Sequence, residues 1–129
     1  MALNIQIDLK SPVAAYRQIA DAIRVLLVDG ALPPTSVLPS VRRLALDLGV
    51  HFNTVGEAYR QLAEEGWLDL RHGRAATVVA RDAPPAAPAE QVLEFRTQIR
   101  NLVARMRSAG MPASSITSEL RAIVEGLQS

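Results

Sequence analysis

The chain has 129 residues, 49% of them apolar, with no cysteine and a formal net charge of +1. That length suits one domain plus a small appendage around a modest core, and it excludes a large catalytic scaffold. Without cysteine there is no disulfide framework, thiolate metal site or thiol nucleophile, so neither a metal nor a cofactor is expected. Near-neutrality also excludes bulk basicity as a basis for holding nucleic acid. Residues 1–82 carry nine Lys or Arg and nine Asp or Glu, so such a partner must be met by locally placed charges. No run approaches the eighteen or so apolar residues of a spanning helix. The opening MALNIQIDLK lacks the basic segment and apolar block of a signal peptide, so the expectation is a soluble, cytoplasmic protein with no membrane partner.

In chain order, Leu3, Ile5, Ile7 and Leu9 alternate with polar residues, which predicts a short half-buried strand. Ser11 and Pro12 then start a helix in which Tyr16, Ile19, Ala20, Ile23, Leu26 and Leu27 recur at helical spacing, closed by Gly30. The prolines of ALPPTSV make the next connection irregular. Leu38 and Pro39 open a second helix with Val41, Leu44, Ala45 and Leu48 as its apolar stripe, and Gly49 stops it. A third begins near Phe52 to Thr54 and runs to about Glu65, with Val55, Ala58, Tyr59 and Leu62 inward and Gly66 as its stop. Two short helices around a tight turn, the first ending in Ala45 and Gly49, read as a helix-turn-helix. The exposed first turn of its second helix is the part suited to a major groove.

Trp67–Arg71 and Ala76–Ala80 read as two strands around a Gly-containing turn, which makes the whole a winged helix. Trp67, Tyr16 and Tyr59 sit among apolar positions and are expected to pack in the core. Residues 82–90, DAPPAAPAE, read as a semi-rigid linker. Val92, Phe95, Ile99, Leu102 and Met106 follow at spacings of three and four, a heptad-like seam ending near Gly110. Ile116, Leu120, Ile123 and Leu127 mark a second short helix. Two such helices cannot bury their seams alone, so they must pack on the first domain or on another chain. The predicted fold is mainly α with a small β-wing: a winged helix-turn-helix over residues 1–81, a linker over 82–90, and a two-helix tail over 91–129.

Residues 12–80 closely resemble the GntR family of bacterial transcription factors. The likeness rests on PVAAYRQIADAIRVLLVDGAL, LPSVRRLALDLGV, NTVGEAYRQLAEEGWL and the wing RHGRAATVVA. The short tail resembles that of the YtrA-type subfamily, where it is a dimerisation element. The resemblance implies a double-stranded DNA operator as partner and a homodimer paired through Val92, Phe95, Ile99, Leu102, Met106, Ile116, Leu120, Ile123 and Leu127. A small-molecule effector is a further possible partner, although the tail is too small to enclose a pocket within one chain. The family's DNA-touching positions carry over to Ser40, Arg42 and Arg43, then His51, Phe52, Asn53 and Thr54, then His72, Gly73 and Arg74. Many members carry a polar or basic residue where Phe52 stands and an Arg where Gly56 stands. The wing's second glycine is replaced by Ala75, and the usual glycine after the Leu-x-Pro segment by Pro34 or Thr35.

Each site residue has an ordinary reading beside the functional one. Arg42 suits a phosphate or the O6 and N7 edge of guanine, against a solvated helix Arg paired with an acid. Asn53 and Thr54 suit a phosphate oxygen, against plain capping, with Asn53 expected to cap and Thr54 to contact. Phe52 either touches a thymine methyl or staples the helix start to the core. His72 and Arg74 around Gly73 suit the minor groove, against an ordinary polar turn. His51 and His72, with no Cys or paired His, make a poor metal site. These features favour a homodimeric DNA-binding repressor. A winged helix serving as a protein-interaction module is the alternative, and an enzyme is a poor third because no nucleophile is flanked by a base.

Overall fold

The computed structural model describes residues 3–71, 75–81 and 86–128. Its elements are α1 (Ala15–Val28), α2 (Val41–Leu48), α3 (Phe52–Glu64), β1 (Leu68–Asp69), β2 (Thr77–Val78), α4 (Ala89–Ser108) and α5 (Ala113–Gln128). Residues 1–82 and 83–129 form two compact units.

In the first unit the apolar stripes of three helices meet. Ile19, Ala20, Ile23 and Leu27 of α1, Leu44 and Ala45 of α2, and Val55, Ala58, Tyr59 and Leu62 of α3 are buried together with Leu32, Leu38, Leu68, Ala76 and Val78. Ser40, rather than Leu38 or Pro39, begins α2: its hydroxyl accepts the amide of Arg43 at 3.1 Å, which satisfies a helix-terminal donor. Leu38 is core, and Pro39 offers its carbonyl to the Tyr59 hydroxyl at 2.7 Å. Gly49 ends α2 at φ 71°, and Val50 donates back to the Ala45 carbonyl at 3.0 Å. The left-handed conformation that turns the chain from α2 to α3 is the one glycine adopts without penalty.

Three expectations are corrected. Residues 3–7 form no strand; the alternation survives as burial, with Leu3, Ile5 and Ile7 packed on the core and Leu9 exposed, but the described backbone gives them no ladder. Helix α1 starts at Ala15, not at Ser11. The Gln18 side chain bonds the Asp8 amide at 2.7 Å and the carbonyls of Asp8 and Val13 at 2.9 Å each, holding residues 8–13 as a turn. The linker ends early, since Ala89 and Glu90 already belong to α4.

β1 and β2 pair antiparallel with Leu68 opposite Val78 and Asp69 opposite Thr77. The proline-containing connection after α1 is less irregular than its composition suggests. Val37 bridges Thr77, and bonds from Thr35 to Val78, Val78 to Ser36, and Leu38 to Ala76, at 2.8–2.9 Å, lay residues 35–38 along the free edge of β2. Thr35 reaches this register at φ 76°, in the region that disfavours a β-branched side chain.

The second unit is two helices. In α4, Glu90 lies in the first turn and Arg105 and Arg107 in the last, each matched to the helix dipole. Gly110 at φ 101° and a bond from Met111 to the Met106 carbonyl at 2.9 Å close it. Neither α4 nor α5 has a buried residue.

Candidate nucleic-acid interface

Helix α3 brings its first turn to the surface because Val55, Ala58, Tyr59 and Leu62 hold the opposite side in the core. The residue that caps it is His51. Its Nδ1 accepts the Asn53 amide at 3.1 Å, so Asn53 is not the cap as the sequence suggests, and its amide side chain is left exposed. With Nδ1 used as an acceptor, the neutral imidazole carries its proton on Nε2. His51 therefore presents a donor outward.

Phe52 does not staple the helix to the core. It is 44% exposed and stacks on the His51 ring, with centroids 4.5 Å apart and planes at 27°. The Arg42 guanidinium carbon lies 5.3 Å from the same ring centroid, within cation–π range. The fold thus joins Arg42 of α2 to His51 and Phe52 of α3. Among the described residues no carboxylate pairs with Arg42, whereas Arg43 leans on Asp47 at 3.3 Å. Thr54 is half-buried. Among them the residues offer a fixed cation, an imidazole donor, an apolar ring and a side-chain amide. That set suits an anionic strand with hydrogen-bonding base edges.

A groove of about 380 Å³ lies beside the cluster, between Ser40 and Val41 of the α2 start, Gly56 and Tyr59 of α3, and Leu70, Ala75 and Ala76 of the hairpin. Burial pushes the Tyr59 hydroxyl well above the usual phenol range, so it stays a neutral donor to Pro39.

Two arginines that flank the hairpin have partners of their own. Arg71 pairs with Asp69 at 3.2 Å. Arg81 lies over the Trp67 ring at 4.7 Å and donates to the Glu65 carbonyl at 2.9 Å, at the end of α3 opposite His51. Composition hides this bond, since it depends on where α3 ends. The same helix end holds a contact the sequence does not reveal: Arg24 of α1 forks onto the Glu65 carboxylate at 2.9 and 2.7 Å. Those bonds hold Glu65 below the usual carboxylate range. His72, Gly73 and Arg74 lie outside the described residues.

In the tail, Val92, Phe95, Ile99, Leu102 and Met106 of α4 and Leu120, Ile123 and Leu127 of α5 are all exposed in the single chain, and Ile116 is half-buried. Leu93 and Val124, which the seam pattern omits, are exposed beside them. No helix among the described residues is long and apolar enough to cross a membrane.

Three helices, a tight α2–α3 turn and a hairpin behind the recognition helix define a winged helix-turn-helix. Residues 15–78 match the model of the bacterial regulatory proteins of the gntR family. The HTH-type transcriptional repressor YtrA of Bacillus subtilis is 30% identical over 125 residues, 95% of each chain. The solved YtrA of Sulfolobus acidocaldarius, a GntR-family transcription factor, is 35% identical with a TM-score of 0.57, over 81% of this chain and 97% of that one. The AraR DNA-binding domain, solved in complex with an operator, shares the fold at 21% identity and a TM-score of 0.53, over 61% of this chain and 99% of that one. The chain belongs to the GntR family of transcription regulators and is similar to its YtrA-type members.

Proposed function

We propose that this chain is a cytoplasmic repressor that pairs with a second copy through α4 and α5 and reads a pseudo-palindromic operator, acting by binding rather than catalysis. The observation that carries the reading is the exposed Arg42–Phe52–His51 cluster at the start of α3. Its cation is unpaired among the described residues and is held against the ring of the recognition helix. Phosphate contacts fix register and base-edge contacts specify sequence. Arg42 suits the first task, and His51, Phe52 and Asn53 suit the second. An exposed apolar face on each tail helix supports pairing, and a dimer places two recognition helices on half-sites about one helical turn apart.

The test is fluorescence anisotropy, over a salt series, against the duplex that the wild-type chain enriches from a random-sequence pool, with a scrambled duplex as control. Wild-type binding is expected to favour the enriched duplex by on the order of a thousandfold. Arg42→Ala is expected to lose roughly 1–3 kcal/mol, with relaxed specificity if the guanidinium reads a base and a smaller salt slope if it holds a phosphate. No enrichment and no binding at low salt would overturn the reading in favour of a protein partner.

A further inference from the structure

Gly56 lies inside α3, one turn beyond Phe52 and Asn53 and on their side of the helix. A Cβ built there meets nothing within 4 Å among the described residues, and its backbone is not among those at positive φ. Neither close packing nor backbone conformation among the described residues therefore calls for glycine. After proline it is the least favourable residue for a helix interior, so the helix bears a cost that no contact among the described residues offsets.

Gly56 is one of the residues that line the groove described above, and it adds no side chain to it. Ser40 and Val41 at the start of α2, Tyr59 of α3, and Leu70 and Ala75 of the hairpin line it too. Among the described residues no charged side chain lines the groove, and Arg42, without a described carboxylate partner, stands two residues from Ser40. A trough lined by uncharged described residues and bordered by the Arg42 guanidinium matches a strand whose sugars and base edges are uncharged and whose phosphates are anionic.

We propose that one strand of the operator duplex comes directly against the α3 backbone at Gly56, its sugar and base edge entering the groove while Arg42 meets its phosphate charge. Gly56 is then a specificity-determining position that acts by having no side chain. The inference rests on the DNA-binding reading above. The missing Cβ makes contact of the duplex with the helix backbone possible, so even a methyl group stands in the way.

The test is Gly56→Ala in the full chain, measured two ways. Thermal denaturation of the free protein is expected to shift upward by a few degrees, because alanine favours the helix and has room. Anisotropy with the enriched duplex is expected to show binding weakened by about tenfold or more, with binding to the scrambled duplex unchanged. A variant that gains thermal stability and binds the enriched duplex within about twofold of wild type would overturn this inference and leave the DNA-binding reading intact. A wild-type chain that enriches no duplex would overturn both.

Discussion

The two units of this chain use the same helical spacing of apolar residues and end in opposite states. In the first, Ile19, Ile23, Val55, Ala58 and Leu62 are fully buried; in the second, Phe95, Ile123 and Leu127 are each more than 60% exposed. Periodicity locates an apolar face but does not say what covers it. In residues 1–82 the chain supplies the cover itself, since α1, α2, α3 and the hairpin converge on one core. In the tail a 20-residue and a 16-residue helix hold no buried side chain. Helices of that length gain most of their stability from packing, which is why the second copy proposed above matters to the order of the tail and not only to DNA affinity.

Substitutions can break this contrast from either side. The largest effect on folding is expected from Leu62→Ala, which empties a fully buried site in the core stripe of α3. Denaturant titration followed by Trp67 fluorescence should show a loss of about 2–5 kcal/mol. A loss near zero would mean that the first unit is not the self-sufficient core described above. Ile99→Asp places a charge in the middle of the α4 seam. Sedimentation equilibrium should show self-association weakened by roughly 100-fold or more, with the Trp67 unfolding midpoint little changed; a chain that remains paired would remove this face from the dimer.

The smallest effect sharpens the comparison at the α1–α3 junction. Glu65→Gln is expected to cost about 0.5–1 kcal/mol, since the fork to Arg24 is partly solvent-screened. The native carboxylate has a lowered pKa, owing first to its hydrogen bonds with Arg24. Its contribution is therefore complete above the ordinary value of about 4.3 and is lost as pH falls through the lower native one. Stability measured from about pH 5 downward should fall less steeply in the variant; equal slopes would show that the fork is not what acid disrupts.

Much of the winged helix was legible because its stripes are long and its stops are glycines: Gly49 and Gly66 bound α2 and α3 as the sequence suggests. What escaped were features made by side chains bonding to backbone. Gln18 delays α1 by holding residues 8–13, and an imidazole caps α3 where Asn53 looked the better candidate. Residues 35–38 were hidden by two prolines and a threonine at positive φ, because strand pairing here comes from hydrogen bonds to β2 and not from alternation. At the candidate site, Arg42 and the first turn of α3 were legible as positions. Their joining was not, because the Arg42–Phe52 contact depends on how α2 and α3 cross. Phe52 had two open readings, and burial decided against the core.

The edge that residues 35–38 add to β2 bears on the order in which the first unit assembles. Its two strands are about 40 residues apart in sequence, whereas α2 and α3 are neighbours along the chain. A growing polypeptide that has reached Gly66 has all three helices but neither the partner for the Thr35 and Leu38 amides nor the Arg81 that closes the end of α3. Long-range pairing of this kind forms late, and small sheets at the margin open early. The pairing of residues 35–38 with β2 is thus expected to be the last part of the unit to close, while the turn that carries His51 and Phe52 is bonded within neighbouring stretches of chain.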